Sequence, residues 1–280
     1  PLVSSSAASD VYKRQRRRES LMKRYTPDRP AIFLHIPKCA GTSFIGLLRR
    51  WYGPTYHHPH QDETRDILLP RVRVKLENGN WDPKVKCIHG HFDRGRGYGL
   101  PEHYPEIDQY FTIMRDPFDM VVSMYFFVKG RSQRGEYRYR GKVIDIREQY
   151  PDLSSYLKVY HAWVEDHLPT DFTVKNSSSY VDSRFVYLGC FEELQRSVDG
   201  LADVLGKPRS TLPKQNVSRY DEEIPTDLKS HVHGLYPRAK CLHEMSEKTY
   251  RLPGKSRLPS TIQWCWRSIR KAFSSDKTMA

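Results

Sequence analysis

The chain has 280 residues, 38% of them hydrophobic and 12% aromatic. That is enough for one sizeable folded core and excludes a wholly disordered chain. Charged residues make up 28%, and the longest nearly apolar run, Met120 to Val128, falls far short of the roughly 20 residues a spanning helix needs, which argues against an integral membrane protein.

Lys and Arg number 46 against 33 Asp and Glu, a formal charge of +13. An excess of this size suits a polyanionic partner: nucleic acid, an anionic cofactor, an acidic polysaccharide or a membrane surface. The five cysteines (Cys39, Cys87, Cys190, Cys241 and Cys265) contain no CxxC pair. They read as reduced thiols rather than a disulfide scaffold or zinc ribbon.

Residues 1–24 are expected to be a disordered or non-native basic tail. They run from Ser and Ala into Lys13, Arg14, Arg16, Arg17 and Arg18, with no apolar segment after them. The folded domain is expected over residues 25–255. Ala31 to Ile36, bounded by Pro30 and Pro37, predicts a buried strand. A small-residue loop follows, and Phe44, Ile45, Leu47, Leu48 and Trp51 then take helical spacing up to Gly53 and Pro54. A weak alternation at Val72, Val74 and Leu76 suggests an edge strand.

Val85 to Ile88 predicts the next strand, ending in His89-Gly90-His91. Tyr110 to Met114 predicts a third, ending in Arg115-Asp116-Pro117. After it, Phe118, Val121, Val122, Tyr125 and Phe126 form an amphipathic stripe, with Asp116 as N-cap and Pro117 as the first helical residue. Residues 129–150 read as an exposed, charged insertion. Phe185 to Leu188 predicts a fourth strand, and its helix carries Phe191, Leu194, Val198, Leu201 and Leu205 before Gly206 and Pro208. Residues 256–280 are a tail or docking helix. Strands alternating with helices argue for an α/β fold with a central, mainly parallel sheet covered on both faces.

Three constellations carry chemistry. The first is Ile36 to Ser43. A strand, a tight loop and a helix bring backbone N–H groups and the positive end of a helix dipole to one place, which makes an anion site. Gly41 permits close approach, Thr42 and Ser43 offer hydroxyls, and Lys38 supplies a mobile charge. The Walker pattern needs Lys directly after a Gly. Here Lys38 precedes Gly41, which disfavours a nucleotide triphosphatase. An ordinary strand–helix turn is the plain alternative.

The second is Arg115 with Ser123, eight residues on and about two helical turns away. An Arg fork at a strand end with a helix hydroxyl can grip a phosphate dianion. A surface Arg–Asp pair beside a solvated Ser is the alternative. The third is His89-Gly90-His91. Side chains at i and i+2 of an extended segment share a face, which suits a zinc pair, a structural pair or a general base for a sugar hydroxyl. No third zinc ligand at fitting spacing is evident.

The segment Phe33 to Phe44 closely resembles the 5′-phosphosulfate loop of the sulfotransferases, in particular the carbohydrate branch that includes heparan sulfate 2-O-sulfotransferase. Cys39 stands where that loop has Thr. Arg115-Asp116-Pro117 followed by Ser123-Met124-Tyr125 is similar to the family's 3′-phosphate element, and His-Gly-His lies between the two elements in the relatives as well. Val186 to Glu192 and Leu212 to Ser218 are fainter echoes.

The resemblance implies a P-loop NTPase-like three-layer sandwich. It implies 3′-phosphoadenosine 5′-phosphosulfate as co-substrate, bound by Lys38, Cys39, Ala40, Gly41, Thr42, Ser43, Arg115 and Ser123. Lys38 would stabilise the leaving group, and His91 or His89 would be the base, with His91 slightly favoured. No metal is expected to be required; Asp116 fits an N-cap better than a magnesium ligand. The acceptor would be a carbohydrate; Arg94, Arg96, Arg131, Arg134, Arg138, Arg140 and Lys142 could steer an anionic polysaccharide, with a solvated charged face as the alternative. No nucleic-acid partner and no transmembrane segment are expected. The expected location is cytoplasmic, or the Golgi lumen if a native anchor is missing. The rival readings are a P-loop kinase using ATP and a basic nucleic-acid-binding protein; the latter lacks a recognition helix or RNP-like motif.

Overall fold

The computed structural model describes residues 22–53, 55–57, 61–62, 67–68, 82, 84–139, 142–143, 145–212 and 220–250. Five parallel strands form the central sheet: β1 (Ala31–Leu34), β2 (Tyr56–His57), β3 (Cys87–Gly90), β4 (Tyr110–Met114) and β5 (Phe185–Cys190). Their spatial order is β2-β3-β1-β4-β5. The long strands are buried along their whole length, the pattern of a parallel sheet covered on both faces. The fold is α/β, as expected.

Alternate residues divide the core in two. Ala31 and Phe33 of β1 and Phe111 and Ile113 of β4 face helix α1 (Gly41–Tyr52) and helix α3 (Leu194–Leu205). Ile32 and Leu34, with Tyr110 and Met114, face α2 (Pro117–Gln133) and α5 (Pro237–Tyr250). Helix α4 (Lys229–Leu235) packs beside them. In β5, Val186 and Tyr187 both fall on the α1 side. A register shift between Tyr110 and Phe111 accounts for this: Phe185 pairs with Tyr110 and Tyr187 with Phe111. On α1, Phe44, Leu47 and Leu48 are fully buried. Such side chains contribute about 1.5–3 kcal/mol each.

The caps follow the sequence. Asp116 accepts from the Phe118 amide at 2.9 Å, with Pro117 in the first turn. Gly206 closes α3 in the left-handed conformation.

Three expectations are corrected. The first two turns of α2 are not amphipathic: from Pro117 to Ser123 every residue is buried, because the helix is packed by α4, α5 and the short helical segments over residues 146–149, 153–157 and 163–166. Ser123 is therefore 4% exposed rather than solvated. The proposed insertion is shorter than expected, since α2 runs to Gln133 and Ile146 is buried in a short helix over residues 146–149. At the N-terminus, Met22 is buried and Lys23 both donates its amide to Phe185 O and pairs with Asp108, so residues 22 and 23 pack on the domain.

The helices over residues 153–157, 163–166 and 177–184 and the pair α4–α5 carry no clear sequence period. The alternation at residues 72–76 and the tails at 1–21 and 256–280 lie outside the described residues. Among the described residues, no helix is long and apolar enough to cross a membrane.

Gly189 tests the packing between strands β4 and β5. A Cβ there would lie 2.3 Å from Ile113 Cδ1 and 3.0 Å from Ser197 Cβ. Gly189→Ala should cost about 1–3 kcal/mol by overpacking, read as a lower urea midpoint at unchanged slope.

Candidate active site

Helix α1 leaves β1 toward one face of the sheet, and α2 leaves the adjacent β4 toward the other. Neighbouring parallel strands whose connections diverge open a crevice at their carboxyl ends. The loop after β1 and the turn after β4 line that crevice, and β3 lies on the other side of β1. The three sequence constellations thus occupy the same edge of three neighbouring strands.

The first two are in direct contact. Arg115 Nη1 donates to the Lys38 carbonyl oxygen at 3.3 Å. Arg115 is 5% exposed, and its guanidinium carbon lies 4.5 Å from the Phe191 ring centroid. Its Nε is buried with no hydrogen-bond partner among the described residues. Burial works against its charge, while Asp119 and Glu192 favour it and raise its pKa. Burial lifts the Asp119 carboxyl to about 6 against the pull of Arg115.

The loop itself is strained. Lys38 and Ala40 both hold positive φ, 65° and 61°, which costs L-residues about 1–2 kcal/mol each. Strain of this kind persists where the surroundings fix it, typically at functional sites. The Lys38 ammonium lies 4.2 Å from the Phe127 ring centroid. Burial, and then the Arg115 charge, bring its pKa down to about 8. Cys39 is 2% exposed and packs in the core; burial pushes its thiol up to about 12. Its side chain is thus directed inward, leaving its backbone for the loop. Thr42 is exposed and Ser43 buried in the first turn of α1.

Gly41 has a different neighbour from the one expected. A Cβ there would lie 1.7 Å from His35 Nε2, so the close approach it permits is that of an imidazole. His35 in turn stacks on His91, with ring centroids 4.1 Å apart and planes at 28°. His91 Nδ1 meets the His35 carbonyl oxygen at 2.8 Å. A carbonyl only accepts, so Nδ1 carries the proton. In the neutral ring Nε2 is then the acceptor. His167 meets His91 edge-on at 5.3 Å; its Nδ1 donates to Trp163 O at 2.6 Å and its Nε2 lies 4.0 Å from Asp93 Oδ2.

His89 and His91 reach different neighbours. His89 is 1% exposed, with Nε2 3.1 Å from Thr55 Oγ1. His91, just past the end of β3, is half-buried. Asp116 is occupied: it caps α2 and pairs with Lys229 at 2.6 Å and His233 at 2.8 Å. Burial would raise its carboxyl, but these two partners outweigh it and hold the group well below the usual carboxylate range.

The cations expected to steer an acceptor also have partners. Arg94 pairs with Asp166 at 2.9 Å, and Arg134 with Glu136 at 2.8 Å. Arg131 lies 3.9 Å from Glu136 and 5.7 Å from the Phe127 centroid. The side chains of Arg96, Arg138 and Lys142, the whole of Arg140 and the loop over residues 213–218 lie outside the described residues.

Sequence reasoning missed Phe127, Asp119 and His167. The first two sat inside a helix read as a simple stripe, and the third belongs to no motif. His35 lay within the matched segment with no role given to it.

A family model described as "Sulfotransferase family" matches residues 23–252. No curated protein matches the chain.

Gly41→Ala should drive Cβ into the His35 ring and displace it from His91. The expected cost is about 1–3 kcal/mol, with a changed titration of the His91 ring by NMR. An unchanged His91 signal would separate the two rings mechanically.

Proposed function

The chain belongs to the sulfotransferase family, and from that premise we propose that it moves a sulfuryl group from 3′-phosphoadenosine 5′-phosphosulfate to a hydroxyl of a carbohydrate. The observation that carries the proposal is the hydrogen bond from Arg115 to the Lys38 carbonyl. It brings the two anion-gripping loops into contact, as one doubly phosphorylated adenosine requires. The buried, unpartnered Nε of Arg115 fits such a ligand, because a buried donor without an acceptor is costly unless an anion completes it.

The donor supplies the sulfuryl group and a phosphate oxygen as leaving group. The residues do the rest. The amides from Lys38 to Ser43 and the hydroxyls of Thr42 and Ser43 hold the 5′-phosphate; Cys39 and Ala40 contribute backbone alone. Arg115 and Ser123 hold the 3′-phosphate. Lys38 moves from the Phe127 ring to the charge that builds on the leaving oxygen. His91 Nε2 takes the proton of the acceptor hydroxyl, while the His35 carbonyl holds the ring in that tautomer. The burial of His89 and its contact with Thr55 support a structural role for it.

The His-Gly-His element favours a sugar acceptor, and an anionic polysaccharide agrees with the net charge of +13. The occupied carboxylate of Asp116 tells against the ATP-using kinase.

Lys38→Ala and His91→Ala should each abolish transfer of radiolabelled sulfuryl groups, by at least about 100-fold for the base, with circular dichroism unchanged. Wild-type turnover in either variant removes that residue from the mechanism. Adenosine 3′,5′-bisphosphate should raise the melting temperature more than ATP with magnesium does.

The pH profile has a defined sign. Lys38 loses its charge as pH rises through about 8, so kcat/KM should fall on that alkaline limb. Lys38→Arg should move the limb upward, because a guanidinium stays protonated.

A further inference from the structure

Behind the Arg115 turn lies a buried polar group that the mechanism above does not use. Glu192 sits two residues beyond the end of β5. One carboxylate oxygen accepts the Asp116 amide at 3.1 Å. The other accepts the Cys190 thiol at 3.0 Å and His243 Nε2 at 3.1 Å. His243, on α5, is 5% exposed. Phe191, between Cys190 and Glu192, supports the Arg115 guanidinium. One short segment therefore holds both the fork of Arg115 and the backbone of its turn.

The charges explain the third partner. Arg115 faces two carboxylates, Asp119 and Glu192, while Asp116 is taken up by Lys229 and His233. An uncompensated Glu192 would compete with any incoming phosphate for the guanidinium. Burial opposes the charge on His243, but Glu192 overrides it and raises the imidazole pKa. Burial likewise opposes the charge on Glu192, and His243 outweighs it. With His243 protonated, the two form an ion pair at 3.1 Å whose cation offsets the Glu192 carboxylate. Buried pairs add little net stability compared with apolar packing, so stability alone does not account for this one.

We propose that His243 is a positioning residue of the donor site: by pairing with Glu192 it holds that carboxylate on the Asp116 amide and off Arg115, keeping the guanidinium open for a phosphate dianion. The proposal rests on the reading of Arg115 as the grip on the 3′-phosphate.

The test compares the affinities of adenosine 3′,5′-bisphosphate and adenosine 5′-monophosphate by calorimetry at one salt concentration. Wild type should prefer the bisphosphate by at least about tenfold, and Arg115→Ala should lose that preference. His243→Gln keeps an N–H donor without the charge. It should weaken the bisphosphate about tenfold and leave the monophosphate within about twofold. The donor KM should rise with kcat at saturation unchanged. Adding Glu192→Gln should restore the preference, since the charge that His243 answers is then gone.

Glu192→Gln alone should keep the preference. Its loss there overturns the proposal even if His243→Gln proves unable to fold. The proposal also falls if His243→Gln binds like wild type, if both ligands weaken equally, or if the double variant is not restored. Loss of the wild-type preference on chelation overturns it as well, by assigning Cys190, Glu192 and His243 to a metal. A preference that Arg115→Ala abolishes and His243→Gln keeps sinks this inference alone. A wild type without preference sinks the reading of Arg115 with it.

Discussion

The hydrogen bond between the Arg115 guanidinium and the Lys38 carbonyl joins two turns that lie 77 residues apart in the chain. It exists because β1 and β4 are neighbours with the same direction, so both strands present their carboxyl ends at one edge. The divergence of α1 and α2 then opens the crevice between them. A site for an extended dianionic ligand needs two cationic grips at a fixed separation. A sheet register supplies that separation more rigidly than loops do.

On the other side of β1, the same adjacency brings in the proposed base. β3 pairs with β1 from Ala31 to Leu34, so the residue after the end of β3, His91, meets the residue after the end of β1, His35. His35 is held between the Gly41 backbone and the His91 ring. The missing side chain of Gly41 therefore gives the imidazole its place. The loop and the proposed base form one packed unit.

Net charge and local charge are separate matters in this molecule. The chain carries +13, yet Arg94 and Arg134 are tied to carboxylates, and water and salt screen such exposed pairs. Lys38 and Arg115 differ because burial acts on them: their hydration is already partly lost. A partner anion there replaces water that has been removed. The fold sets this difference through the sheet and through Phe191 and Phe127, and the count of basic residues does not report it.

The sequence by itself determined the strand Tyr110–Met114, the strand that starts at Ala31, the N-cap at Asp116, and the two loops that carry Lys38 and Arg115. These are local properties: apolar runs, capping residues and small-residue turns act within a few residues of themselves. It did not determine that the first two turns of α2 are buried on all sides, because a helical stripe is legible only when one face is solvated. Nor did it separate His89 from His91, since their spacing predicts a shared face, while the neighbours Thr55 and His35 come from other strands. His167, Glu192 and His243 were brought to the site by tertiary structure alone. Their roles depend on contacts between residues 51 and 76 positions apart, and only the order and direction of the strands decide which distant residues meet.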